Sequence, residues 1–108
     1  MGDSLGEFEQ LILFALLRLG EDAYGVTIRQ EIEKRTGRNV SSGAIYTALE
    51  RMETRGYVTS RMGEPTPERG GRRKKYYTLE AAGSKALNRS YDALQRMAKG
   101  LAPKLGNY

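Results

Sequence analysis

Between Ser41 and Leu79 the hydrophobic pattern changes period once, and that change restricts the chain to few folds. The stretch "SSGAIYTALERMETRG" (41–56) places Ile45, Ala48, Leu49 and Met52 at i, i+3, i+4 and i+7, the inward stripe of an amphipathic helix. Ser41 and Ser42 each offer a hydroxyl to its first amides, and Gly56 ends it. Directly afterwards "YVTSRM", rich in β-branched and aromatic residues, predicts a strand. "GEPTPERGG" holds two of the three prolines and predicts a loop. "RRKKYYTL" predicts a returning strand, with Tyr77 and Leu79 on one face and Tyr76 and Thr78 on the other. A helix thus runs into a hairpin whose long tip is basic.

Two helices precede this unit. The first is expected from Ser4 or Leu5 to Leu19, closed by Gly20. Phe8, Ile12, Ala15 and Leu19 form one apolar face for the domain's own core. Leu13, Phe14 and Leu17 form another, and a helix that is apolar all round needs cover all round. A second copy of the chain is the expected source. The second helix, "YGVTIRQEIEKRTG", carries a one-sided stripe of Tyr24, Val26 or Ile28, and Ile32, and Gly37 stops it. After the hairpin a last helix is expected from Glu80 to Leu101. Leu87, Tyr91, Leu94, Ala98 and Leu101 are spaced 4, 3, 4 and 3, a coiled-coil-like seam, and Gly100 and Pro103 oppose continuation. The expected dimer interface is Leu13, Phe14, Leu17, Leu87, Tyr91, Leu94, Ala98 and Leu101.

Composition narrows the function. The chain has 108 residues, with 18 Lys plus Arg against 13 Asp plus Glu and a net charge of +5, a surplus that favours polyanionic partners. It contains neither Cys nor His, which removes disulfides, thiolate nucleophiles, zinc-finger ligand sets and imidazole acid–base chemistry. No glycine-rich phosphate loop or metal-ligand cluster stands out, so no enzyme, cofactor or metal is expected. The apolar run from Leu11 to Leu19 is interrupted by Arg18 and too short to span a bilayer, and its acidic flanks are wrong for a secretory signal. A cytoplasmic protein without membrane contact is the expectation.

Helix, short turn, helix and basic hairpin is the layout of a winged helix-turn-helix. The expected fold is therefore mostly α with a small β-hairpin. Residues 1–79 form the DNA-binding part and residues 80–108 a C-terminal dimerisation helix and tail of the same unit. The third helix would lie in the major groove of double-stranded DNA, with Ser41, Ser42, Ala44, Tyr46, Thr47 and Arg51 facing it. Arg72, Arg73, Lys74 and Lys75 of the wing would grip phosphates. An ordinary solvated helix would show the same polar face; the basic wing beside it favours DNA. Tyr46 suits either a hydroxyl contact to DNA or packing of its ring on the helix flank. The rival reading is a winged helix that binds only protein through the apolar surfaces assigned to the dimer.

Three segments, "AYGVTIRQEIEKRTG", "SSGAIYTALERMETRGYV" and "GGRRKKYYTLEAAG", occur in this order, and with them the chain resembles the PadR family of bacterial transcriptional regulators in its short form with a single C-terminal helix. The resemblance implies a homodimer on a palindromic operator, usually a repressor, released by a small hydrophobic effector near the dimer interface. By position Tyr46 matches the family's recognition-helix tyrosine, Gly43, Leu49 and Gly56 match framework positions, and the cluster before Tyr77 matches the wing. Two departures stand out. Glu80 replaces the threonine that often caps the last helix, though its charge still suits a helix N-terminus. The chain also has no Trp, so any effector pocket would use residues such as Phe8, Phe14, Tyr91 or Met97 in place of stacked indoles.

Overall fold

The computed structural model describes residues 4–65 and 73–106. Its helices are α1 (Glu7–Leu19), α2 (Gly25–Thr36), α3 (Ser42–Thr54), α4 (Ala81–Ala98) and a short α5 (Ala102–Leu105). Strands β1 (Val58–Met62) and β2 (Lys75–Leu79) lie between α3 and α4 and pair antiparallel, with Ser60 opposite Tyr77 and Arg61 opposite Tyr76. The expected winged helix-turn-helix with an added C-terminal helix is the observed architecture.

Local chemistry sets most element ends. α1 starts at Glu7, later than expected, because Leu5 is drawn into the core in an extended segment. The Leu5 N–H donates to Ser90 Oγ, Gln10 Nε2 donates to the Leu5 carbonyl, and the Glu9 carboxylate accepts the Gly6 N–H at 3.1 Å. At the start of α2, Thr27 Oγ1 accepts the Tyr24 N–H and donates to the Asp22 carbonyl. α3 ends in a Schellman arrangement: Tyr57 N–H reaches the Met52 carbonyl, Gly56 N–H reaches that of Glu53, and Gly56 takes φ +79°. α4 has no side-chain cap, as the glutamate predicted; the Glu80 carboxylate instead accepts from Thr59 Oγ1 at 2.7 Å, clipping β1 to the helix start. The helix stops at Ala98, short of the expected Leu101, and Gly100 turns with φ +82° before Pro103 enters α5.

The core is one cluster in which α1 is central, packed by α2, α3, β2 and α4. Ile12, Leu13, Ile28, Ile45, Leu49, Met52 and Val58 are fully enclosed. Tyr77 is buried as expected, while Val26, one alternative for the α2 stripe, faces solvent and Ile28 takes the inner place. Two residues assigned to a dimer interface are corrected: Leu13 and Leu87 belong to the single chain's core, at 0% and 4% exposure. The physical reason is that α4 folds back across α1. It sets Tyr91 edge-on against Phe14 with ring centroids 5.7 Å apart, and so supplies cover that the sequence pattern attributed to a second chain.

Candidate nucleic-acid interface

The first two turns of α3 present small side chains. Ser41 sits before the helix, and its Oγ accepts the Ala44 N–H at 3.1 Å, so this hydroxyl serves the helix end first. Ser42, Gly43, Ala44, Tyr46 and Thr47 are exposed on a rigid helix, whose opposite face buries Ile45, Ala48, Leu49 and Met52. Gly43 has an ordinary negative φ, and a methyl group added there would meet nothing within 4 Å. Nothing within the described chain therefore requires glycine at this helical position, where it costs about 1 kcal/mol relative to alanine. By contrast, a Cβ on Gly25 would collide with the Tyr46 hydroxyl. The Tyr46 ring thus packs against the start of α2 and remains 42% exposed, so both roles foreseen for it are compatible with its position.

The wing is fastened to the same junction. Tyr77 N–H donates to the Ala23 carbonyl at 2.9 Å, and Tyr24 forms a bridge with Tyr76 and meets its ring edge-on at 5.3 Å. Lys74 Nζ lies 4.7 Å above the Tyr24 ring. The Tyr24 hydroxyl beside it, acting as acceptor, holds the Lys74 ammonium above the ordinary lysine value of 10.5, so this cation is charged at any pH near neutrality. Tyr46 and Lys74 therefore contact consecutive residues, Gly25 and Tyr24, which fixes α3 and the base of the wing to one point. Arg73 Nε donates to the Gly63 carbonyl at 2.9 Å and closes the hairpin base, while Lys75 stays exposed on β2. Arg72, the fourth wing cation, lies outside the described residues.

Arg51 has a neighbour that its helical spacing does not reveal. Its guanidinium reaches back to Glu9 of α1, as does that of Arg55, each at 3.8 Å from the same carboxylate oxygen. Arg61 and Tyr24 also join the site without having been expected there. Arg61 is directly opposite Tyr76 and places its guanidinium 4.7 Å over that ring, on the wing. The register of the hairpin could have found it; a lone arginine in a strand pattern gives no other signal.

A second open surface is apolar. Leu17 of α1, Tyr91, Leu94 and Met97 of α4, and Leu101 and Leu105 beyond it are exposed, whereas Phe14 is half-covered. Every residue from 91 to 106 is exposed. Phe14, Leu17, Ser84, Lys85, Leu87, Asn88 and Tyr91 line a pocket of about 330 Å³ beside this surface. Phe14 and Tyr91 are two of the residues expected to line an effector pocket. No described helix is long and apolar enough to cross a membrane.

Comparison with known proteins agrees with this architecture. The family model for the Transcriptional regulator PadR-like family matches residues 12–89. A PadR family transcription regulator from hypervirulent Clostridium difficile R20291 is 27% identical, with a TM-score of 0.75 over 94% of this chain and 100% of its own. A transcriptional regulator from Clostridium thermocellum is 27% identical, with a TM-score of 0.71 over 84% of this chain and 85% of its own. Bacillus subtilis PadR, solved in complex with operator DNA, is 28% identical, with a TM-score of 0.62 over 82% of this chain but 46% of its own. No curated protein sequence matches. Family members are transcriptional regulators rather than enzymes, and the absence of imidazole and thiol chemistry accords with that. With the match spanning the core helices, the wing and the first half of α4, the chain belongs to the PadR-like family of transcriptional regulators.

Proposed function

We propose that the chain is a cytoplasmic, homodimeric repressor that binds a palindromic DNA operator and is released by a small hydrophobic effector. The observation that carries the DNA reading is the shared anchoring of two elements. The open face of α3 and the cationic base of the wing are both fixed at Tyr24–Gly25, one polar and small, the other positive. Such a pair suits a helix seated in the major groove with phosphates gripped beside it. That a relative of the same fold was solved on operator DNA supports this reading. Ser42, Ala44, Tyr46 and Thr47 would face the groove, while Arg73, Lys74 and Lys75, with Arg72, would hold the backbone. Ser41 would act mainly as the cap.

The exposed apolar side chains of Tyr91, Leu94 and Met97 on α4 support the homodimer, with Leu17 of α1 also open and Leu101 and Leu105 exposed beyond the turn at Gly100. Two copies joined there would present recognition helices to half-sites about 34–36 Å apart, or a multiple of that turn. The 330 Å³ pocket falls in the usual size range for small-molecule sites. It adjoins the apolar seam, so a ligand there would bias how two copies meet. The repressor assignment rests on the family resemblance.

The test is binding to a duplex selected from a randomised pool, measured across salt concentrations. Neutralising Arg72, Arg73, Lys74 and Lys75 to Gln should weaken all duplexes alike. The log–log salt slope should fall by about 0.9 for every phosphate that a wing ceases to neutralise. An unchanged slope would remove the wing from the interface. A chain that stays monomeric and selects no duplex would favour the protein-binding alternative.

A further inference from the structure

We infer that Glu9 is a positioning residue for DNA binding: its buried carboxylate on α1 orients Arg51 of the recognition helix toward the phosphate backbone. The inference rests on the DNA-binding reading above and adds a residue outside both the recognition helix and the wing.

Glu9, like Glu31 of α2, is an acid with a largely enclosed side chain, but it alone of the two faces α3. Its side chain is only 11% exposed, and its two oxygens have separate tasks. Oε1 accepts the Gly6 N–H and caps α1; Oε2 faces Arg51 and Arg55 at equal distances of 3.8 Å. A carboxylate so enclosed is costly to bury unless cations compensate it, and here both cations come from α3 and the residue that follows it. The two arginines differ in situation. Arg55 is more enclosed, at 33% side-chain exposure, and its guanidinium lies 5.3 Å over the ring of Tyr57, which is itself buried. Arg51 is 61% exposed, so Glu9 touches one end of its fork and leaves most of it open.

Position along α3 gives that open end a direction. Ala44, Thr47 and Arg51 recur at i, i+3 and i+7, one row that begins with the groove-facing residues. Arg51 follows Ala44 by about 10 Å along the axis, where a recognition helix leaves the groove floor and passes the sugar–phosphate chain. It is the one cation within α3, whose other charges are Glu50 and Glu53, so no neighbour on the helix can substitute for it. An unrestrained arginine must lose rotamer freedom to meet a phosphate; one drawn by the charge of an enclosed carboxylate 3.8 Å away starts from a narrower set of positions.

The test is a double-mutant cycle on a duplex selected by the wild-type chain. Glu9→Gln keeps an acceptor for the Gly6 N–H and removes the charge that faces Arg51. It should weaken duplex binding about threefold to tenfold on its own, add nothing once Arg51→Met is present, and retain its effect beside Arg55→Met. Equal weakening by Glu9→Gln in the wild-type and Arg51→Met backgrounds would overturn the inference, because a merely structural carboxylate acts whether or not Arg51 is there. Should Glu9→Gln fail to fold, Arg51→Lys decides. It keeps the charge but cannot span carboxylate and phosphate with one rigid fork, and should bind about as weakly as Arg51→Met. Wild-type affinity in Arg51→Lys would overturn the inference. If the wild-type chain selects no duplex, the DNA reading fails and this inference with it; selection followed by an additive cycle rejects the inference alone.

Discussion

The open face of α3 and the open face of α4 differ in the size and polarity of what they expose, and the proposed function gives them different partners. Both are solvent-exposed in the single chain and both lie on regular helices. On α3 the exposed residues of the first two turns are Ser42, Gly43, Ala44 and Thr47, all with short side chains, and Tyr46, the one large ring, which packs against Gly25 and stays 42% exposed. On α4 and beyond they are Tyr91, Leu94, Met97 and Leu101, large groups that water disfavours. A small, hydrogen-bonding face gains little from burial against protein but allows close approach to a groove. A large apolar face gains most from a matching apolar face. Exposure alone is therefore a poor guide to function; the size and polarity of what is exposed separate the two.

The sharpest way to break this contrast is to charge the apolar face. Leu94→Glu with Met97→Glu should give a monomer by sedimentation and lower duplex affinity about 100-fold or more, since two linked half-site contacts become single ones. Because both side chains are exposed in the single chain, folding stability should change by less than about 1 kcal/mol. A variant that remains dimeric would place the interface elsewhere.

Gly43→Ala tests the other face with effects of opposite sign. The added methyl meets nothing within 4 Å and the backbone is ordinary, so the fold should gain about 0.5–1 kcal/mol in chemical denaturation. Duplex affinity should fall about tenfold if the groove approaches the helix as closely as glycine permits. Unchanged affinity would show that DNA does not come so near. The resemblance to relatives placed Gly43 in the framework; the open space around it argues that its reason lies outside the chain.

The smallest effect comes from the core between the two faces. Burial, with Glu53 and Glu50 nearby, raises the Tyr77 hydroxyl above its ordinary 10.0. The unfolded chain then loses this proton first, so the folded state binds more protons as pH passes 10 and stability falls with rising pH. Tyr77→Phe should flatten that decline above pH 10 in denaturant titrations followed across pH. An identical pH slope in the variant would mean that the hydroxyl titrates normally.

Much of the architecture was legible because its signals are local. Ile45, Ala48, Leu49 and Met52 mark a helix by spacing alone, and Gly37 and Gly56 end helices because their backbones take positive φ. Tyr77 could be placed in the core from the alternation of its strand. The start of α1 was not legible, because Leu5 is held by Gln10 and by Ser90, the latter 85 residues away. The pattern behind the dimer assignment leaves the source of cover open. A helix apolar on both sides announces that it needs cover, but not whether α4 of its own chain or another chain provides it, and for Leu13 and Leu87 the answer was the chain itself.

Order of elements, family and the kinds of side chain on each exposed face follow from the residues alone, since spacing, caps and period are properties of near neighbours. Which charges and rings meet had to wait for the folded chain: Lys74 on Tyr24, Tyr46 on Gly25, and Arg51 and Arg55 on Glu9. Those contacts join segments far apart in the chain, and their energies depend on distance and burial, which no local pattern encodes.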